Sequence, residues 1–218
     1  MGNYIDLLNK GGVTESKPID VRMLATEEDR LAHWKLGEEY FDGSRAQGYG
    51  GYNYDGRWKK VAHDIFQRYN LKSDAKILDI GCAKGFLLKD IKDLYPSSEV
   101  WGLDISSYAL TAAQSFGLNN LIQGNAASLP FEDKAFDFIF CNNSLHNILN
   151  INETIISLRE ISRVGKAAWI SIAAYVSEEE KSRIDSWAVV ATTYMSQDSW
   201  LRLFDVSGYN HDYYWFKP

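Results

Sequence analysis

The stretch KILDIGCAKGFLLKDI, residues 76–91, constrains the fold of this chain more than any other. A short apolar run, Ile77, Leu78 and Ile80, gives way to a glycine turn. Apolar residues at helical spacing follow, Leu87, Leu88 and Ile91, and Pro96 brings that helix to an end. EVWGLDIS supplies the next strand, which ends on Asp104. Ser106 then caps a helix carrying Ala109, Ala112, Ala113 and Phe116, with Gly117 as its stop. NLIQGNA and AFDFIFCNNS read as a third and a fourth strand, Asn152 as the cap of a helix ending near Gly165, and KAAWISIAAY as a fifth strand. Strands that are nearly continuous apolar runs, alternating with helices, describe a parallel sheet buried on both faces. The expected fold is α/β: a Rossmann-like, mostly parallel central sheet with helices on both faces and an N-terminal helical or lid extension.

Upstream of this pattern, residues 1 to 25 read as a weakly ordered arm. Thr26, followed by Glu27, Glu28 and Asp29, marks the start of a helix expected to run to Phe41 and stop at Gly43. An amphipathic helix then uses Trp58, Val61, Ala62, Ile65, Phe66 and Tyr69. Between the two lies GYGGYNYDGRW, residues 48–58, too aromatic for a flexible linker. From its residues alone it is either a turn-rich surface loop covering the flank of the domain or a loop that closes over something. The division is residues 1–56 for arm, helix and lid, and 57–218 for the sheet domain, with 175–200 as a substrate-side segment. The tail beyond Ser177 should add another helix and one or two strands.

In open parallel sheets ligands bind beyond the carboxyl ends of the strands, where strand order reverses. The turn GCAKG lies at such an end. Gly81 and Gly85 would let backbone approach a ligand, and the following helix offers free N–H groups. A carboxylate at Asp104, ending the second strand, suits ribose hydroxyls, so an adenosine-type ligand is expected. A dinucleotide turn of the G-x-G-x-x-G kind would need glycine or alanine where this chain has Phe86. That favours a smaller ligand with an amino-acid tail.

ILDIGCAKGFLL resembles motif I of the class I S-adenosylmethionine-dependent methyltransferases, written D-x-G-x-G-x-G, with Asp79, Gly81, Ala83 and Gly85 falling on it and alanine in place of the middle glycine. VWGLDIS resembles the second motif of that family, and GNAASLPFEDKAFDFIFCNNSLHNI its third and fourth. The resemblance covers roughly residues 57 to 175. It implies S-adenosyl-L-methionine as cofactor, with Asp79, Gly81, Ala83, Gly85, Asp104, Ile105, Asn125, Ala126 and Asn142 around it. Asn125 stands where the family usually has an aspartate on the adenine amino group. The resemblance further implies that residues 48–58 are a lid, in which Tyr49, Tyr52 and Tyr54 wall a site and Arg57 pairs with an anion. Tyr49 and Arg57 would reach the cofactor carboxylate from the lid.

Methyl transfer chiefly requires nucleophile, methyl and sulfur in line, and needs a base only for a protonated acceptor. His146, just past the fourth strand, is the expected base, with a packing role as the alternative. Asn143 is expected beside it as an orienting residue. Tyr52, Tyr54, Tyr175, Trp187 and Tyr194 are expected on the acceptor, and Lys84 is expected as a solvated turn residue. The net charge of −6 and the lack of a Lys/Arg cluster argue against nucleic acid. No apolar run approaches the roughly 18 residues of a membrane span. Only Cys82 and Cys141 are present, and metal-ligand spacings are lacking, so a reducing cytoplasm and no metal are expected. The expected function is methylation of a small molecule, a sugar, a sugar nucleotide or a phosphorylated metabolite, with O-methylation favoured. The alternatives are a non-catalytic cofactor-binding module and a nucleotide-dependent oxidoreductase. The oligomeric state is open, a homodimer included.

Overall fold

The structure, a computed structural model, describes residues 2–8, 25–49 and 51–218. In chain order the elements are α1 (Glu27–Lys35), α2 (Glu38–Asp42), α3 (Trp58–Arg68), β1 (Lys76–Ile80), α4 (Phe86–Leu94), β2 (Glu99–Asp104), α5 (Ser107–Gln114), β3 (Leu121–Gln123), β4 (Phe136–Asn142), a 3-10 turn (Leu145–Asn147), α6 (Ile151–Val164), β5 (Gly165–Tyr175), α7 (Glu178–Trp187), β6 (Met195–Ser196), α8 (Gln197–Ser207) and β7 (Asp212–Phe216). The strands form one seven-stranded sheet in the order β3-β2-β1-β4-β5-β6, with β7 beside β5, and each of these pairings is parallel. The order reverses between β1 and β4, so the ends of β1, β2 and β4 surround the switch point.

Alternation along the strands explains why both faces need helices. Ile77, Phe138, Phe140 and Trp169 enter one apolar cluster, with Val61 and Ile65 of α3 and Leu88 and Ile91 of α4. Their neighbours Leu78, Ile80, Ile139 and Ile170 enter the other, with Leu158 and Ile161 of α6 and Phe204 of α8. Successive side chains of a strand point to opposite faces, so a run such as Phe138-Ile139-Phe140 feeds both cores at once.

Several expected boundaries move. The helix foreseen from Thr26 to Phe41 is two helices: Leu36 adopts a left-handed backbone, φ 47°, and Gly37 follows before the chain turns into α2. Thr26 does cap α1, its side chain and that of Asp29 each serving the other's backbone N–H. The cap of α6 is Asn150 rather than Asn152; its side chain accepts the N–H of Asn152. The tail yields α7, β6, α8 and β7.

The arm is docked where it is described. Ile5 N–H donates to Tyr213 O at 2.8 Å and Tyr213 N–H donates to Asn3 O at 3.0 Å, so the arm extends the sheet beyond β7. The Trp169 indole N–H donates to Ile5 O at 2.8 Å, and Leu7 and Leu8 are buried in the first cluster. Residues 9–24, the rest of the expected loose arm, lie outside the described residues.

Candidate cofactor and acceptor site

The turn after β1 is tied to β2 before any ligand enters. Gly81 and Cys82 donate their N–H groups to Leu103 O at 2.7 and 3.1 Å. Ala83 N–H donates to Asp104 Oδ2 at 2.8 Å, and Ser106 N–H donates to Oδ1 at 2.9 Å. Burial raises the Asp104 carboxyl, and these N–H bonds partly offset it. The two glycines serve the protein's own packing. Gly81 has φ +71°, and a Cβ there would lie 1.9 Å from Ser144 Oγ; Gly85 has φ +72°, and a Cβ there would lie 2.6 Å from Leu118 Cδ1. Ala83, at the family's middle glycine, is itself left-handed with φ +49°. Its methyl group lies in an apolar cluster with Tyr40, Phe41 and Val190.

Asp79 is the electrostatic centre of the turn. It is 4% exposed, and its carboxylate makes no hydrogen bond with any described residue. Burial first, and the neighbouring Asp104 second, push its pKa up to about 8. Such a pair favours a cation between its members. Asn125, Ile105 and Ala126 stand around Asp104. Asn125 Oδ1 accepts the Ala127 N–H at 2.9 Å, which leaves its amide NH2 group and the second lone pair of the oxygen for a ligand. Ile105 is exposed and Ala126 half-buried.

The lid lies over this turn as an aromatic stack. Tyr52 stacks on Phe86 of α4, ring centroids 4.6 Å apart; Tyr49 stacks on Tyr52 at 4.7 Å and on Phe41 at 5.7 Å. Burial first, then Tyr49 and Asp79, push the pKa of the Tyr52 hydroxyl up, and burial first, then Asp104, push that of Tyr49 up to about 12. Lys84 is no solvated turn residue. It is 8% exposed, ion-pairs with Asp42 of α2 and donates to Tyr52 O at 3.0 Å, binding turn, helix and lid together. Tyr108 of α5 donates to the same Asp42 at 2.6 Å.

Two lid residues are placed elsewhere. Tyr54 donates to Asp90 of α4 at 2.5 Å and packs beside Phe116, anchoring the end of the lid on the flank rather than walling an acceptor space. Arg57 pairs through its guanidinium with Asp55, two residues away and also exposed, so its anion comes from its own loop.

At the end of β4, Asn142 and Asn143 are held by Ser171 of β5. The Ser171 hydroxyl lies 2.7 Å from Asn142 Oδ1 and 2.8 Å from Asn143 Oδ1, and its single proton serves one of them. The Asn143 N–H donates to Ser171 O at 3.0 Å. His146 cannot be the base expected from sequence. It is 1% exposed, its Nδ1 accepts the Ala173 N–H at 3.1 Å, and burial pushes its pKa down to about 3. Its lone pair is spent on β5. Trp187 meets the His146 ring edge-on at 5.9 Å and joins Tyr175, Tyr194 and Phe216 around Ile184. The Tyr194 hydroxyl donates to Asp185. Three of the expected acceptor residues thus pack on one cluster, with Trp187 against His146, while Tyr52 belongs to the stack on Phe86.

Sequence reasoning missed Tyr40, Phe41, Asp42, Ser144 and Ser171. Ser144 follows the Asn pair, and its proximity to Gly81 has no trace in spacing. Asp42 ends a short helix whose docking partner is distant in sequence.

The site is a glycine turn at the switch point of a parallel sheet, with an acid at the tip of the second strand, and comparison with known proteins narrows what it belongs to. Residues 78–168 match the family model described as a methyltransferase domain, which supports a class I S-adenosylmethionine-dependent methyltransferase. The chain is 30% identical over 129 residues to demethylmenaquinone methyltransferase of Geobacillus stearothermophilus, covering 56% of this chain and 53% of that protein. It is 30% identical over 112 residues to malonyl-[acyl-carrier protein] O-methyltransferase of Legionella pneumophila, covering 49% and 38%. The chain thus spans about half the length, or less, of these two curated relatives. Among solved structures, the YcgJ protein of Bacillus subtilis shares the fold with a TM-score of 0.55 and 22% identity, over 67% of this chain and 66% of that one.

Proposed function

We propose that the protein transfers the methyl group of S-adenosylmethionine to a small-molecule acceptor, at oxygen. The observation that carries this reading is the pair Asp79 and Asp104 at the glycine turn, with Asp79 buried, raised and unpartnered among the described residues. The cofactor brings an ammonium and a sulfonium, the cations such a pair lacks, and its sulfonium methyl is the electrophile. Asp79 would take the ammonium, Asp104 the ribose hydroxyls with its remaining lone pairs, and Asn125 a ring nitrogen of the base through its amide. Ile105 would cover the adenine. Tyr52 would shield the turn, with the half-exposed Tyr49 stacked on it, and Asn142, Asn143 and Ser171 would form the wall facing the methyl group. Holding the reactants in line in this way can supply several kcal/mol of the barrier reduction.

One relative is named for demethylmenaquinone and the other for malonyl-[acyl-carrier protein], and the aromatic group Tyr175, Trp187 and Tyr194 suits a planar or apolar acceptor. Nothing in the site singles out a sugar or a phosphorylated metabolite. Titration calorimetry with S-adenosylmethionine, S-adenosylhomocysteine and NAD tests the cofactor assignment. Micromolar binding of the first two and none of NAD is expected. Binding of NAD alone would replace methyl transfer by a redox function, and binding of the first two with no turnover across an acceptor screen would leave a cofactor-binding module.

A further inference from the structure

We propose that His146 acts as a neutral hydrogen-bond donor, through Nε2–H, to an anionic oxygen on the acceptor, which reaches the site already ionised as a phenolate, an enolate or a carboxylate. This inference rests on the methyltransferase reading and specifies its acceptor.

The tautomer follows from β5. Nδ1 accepts the Ala173 N–H at 3.1 Å, so the ring proton sits on Nε2. Protonating Nδ1 would set two N–H groups against each other inside the protein. Burial alone accounts for the lowered pKa. Among the described residues, no charged side chain is bonded to the ring. β5 contributes Ala173, α7 contributes Trp187, and Thr192 and Thr193 give their N–H groups to the His146 carbonyl, each at 2.9 Å. Asp185 of α7 is engaged by Tyr194 and Lys181.

Nε2–H, by contrast, has no acceptor among the described residues. The fully enclosed unpartnered side-chain atoms among those residues are Asp90 Oδ2 and Ser162 Oγ, so Nε2 is not fully enclosed, although His146 as a whole is 1% exposed. The geometry of imidazole directs that N–H away from β5. A buried donor held rigid at the edge of an aromatic wall recognises an oxygen, and an ionised oxygen most strongly. The chemistry then balances without a base. A lone pair of the oxyanion forms the new bond to the methyl carbon as the carbon–sulfur bond breaks. The electron pair stays on sulfur and both formal charges are lost. No proton leaves in this step. A sugar hydroxyl would need the base that His146 is not.

The test uses the full chain, labelled with 15N-histidine, in the presence of S-adenosylhomocysteine. Long-range 1H–15N spectra should show His146 as the Nε2–H tautomer, without titration, from pH 5 to pH 8.5. At pH 8.5, 4-nitrophenolate should shift the His146 Nε2 resonance, and its uncharged analogue 4-nitroanisole should not. His146→Gln, whose amide N–H can replace Nε2–H but cannot act as a base, should hold 4-nitrophenolate within about threefold of the parent. His146→Phe, which keeps a ring against Trp187, should lose tenfold or more. A titration within that range, an Nδ1–H tautomer, equal response to both probes, or no response to 4-nitrophenolate would each overturn the proposal. Failure of S-adenosylhomocysteine to bind in separate calorimetry would instead overturn the cofactor reading.

Discussion

At the residue scale, Asp79 carries the sharpest consequence. A carboxyl raised by burial and by Asp104 binds its proton in the folded chain over a range where the unfolded chain has released it. The folded state then holds more protons than the unfolded one between about pH 4 and pH 8. Stability must therefore fall as pH rises through that window, the opposite of an ion-paired aspartate. Asp79→Asn removes the titration while keeping the shape. The variant should match the parent near pH 4 and exceed it by roughly 1–3 kcal/mol at pH 8, read by urea unfolding at the two values. Its affinity for S-adenosylmethionine should drop by about tenfold or more, because the cation loses its counter-charge. Asp79 was legible in the sequence because the motif places it next to a glycine turn. Its missing partner was not, because the absence of a hydrogen bond depends on what the rest of the chain brings near.

The lid is the matter at the scale of elements. Its glycines and tyrosines announced a structured segment, and the stack of Tyr49, Tyr52 and Phe86 is what such a composition builds. The fastening was hidden. Lys84 stands in the middle of the turn motif, where spacing suggests solvent, yet it reaches α2 through Asp42 and the lid through the Tyr52 carbonyl. Only the split of the first helix at Leu36 and Gly37 brings Asp42 there. Lys84→Met keeps the aliphatic stem and removes the charge. Because Asp42 remains partly solvated and bonded to Tyr108, the cost to global stability should be only about 1 kcal/mol. Local opening should respond much more: limited proteolysis should cut within residues 43–57 several-fold faster than in the parent, and addition of S-adenosylhomocysteine should restore part of the protection. Unchanged cleavage would show that the aromatic stack alone holds the lid.

At the scale of the whole molecule, the arm and the sheet depend on each other. Leu8 is 1% exposed although it belongs to a segment whose sequence reads as loose. Its burial completes the cluster containing Trp169 and Phe138, under the carbonyl of Ile5 that the Trp169 indole holds. Leu8→Ala should cost about 2–4 kcal/mol, measured by denaturant unfolding, far above the effect of a surface change in a flexible arm.

The sequence by itself determined the alternation of strands and helices, the glycine turn, the acid at the end of β2 and the aromatic character of the lid. These follow from backbone sterics and from periodicity, which act between neighbours in the chain. The tertiary structure alone decided that His146 spends its lone pair on β5, that Tyr54 faces Asp90 and that Lys84 is a buried clasp. A polar side chain's role is fixed by the partner it meets and by the water it loses, and both are set by segments distant in sequence that only the packed fold brings together.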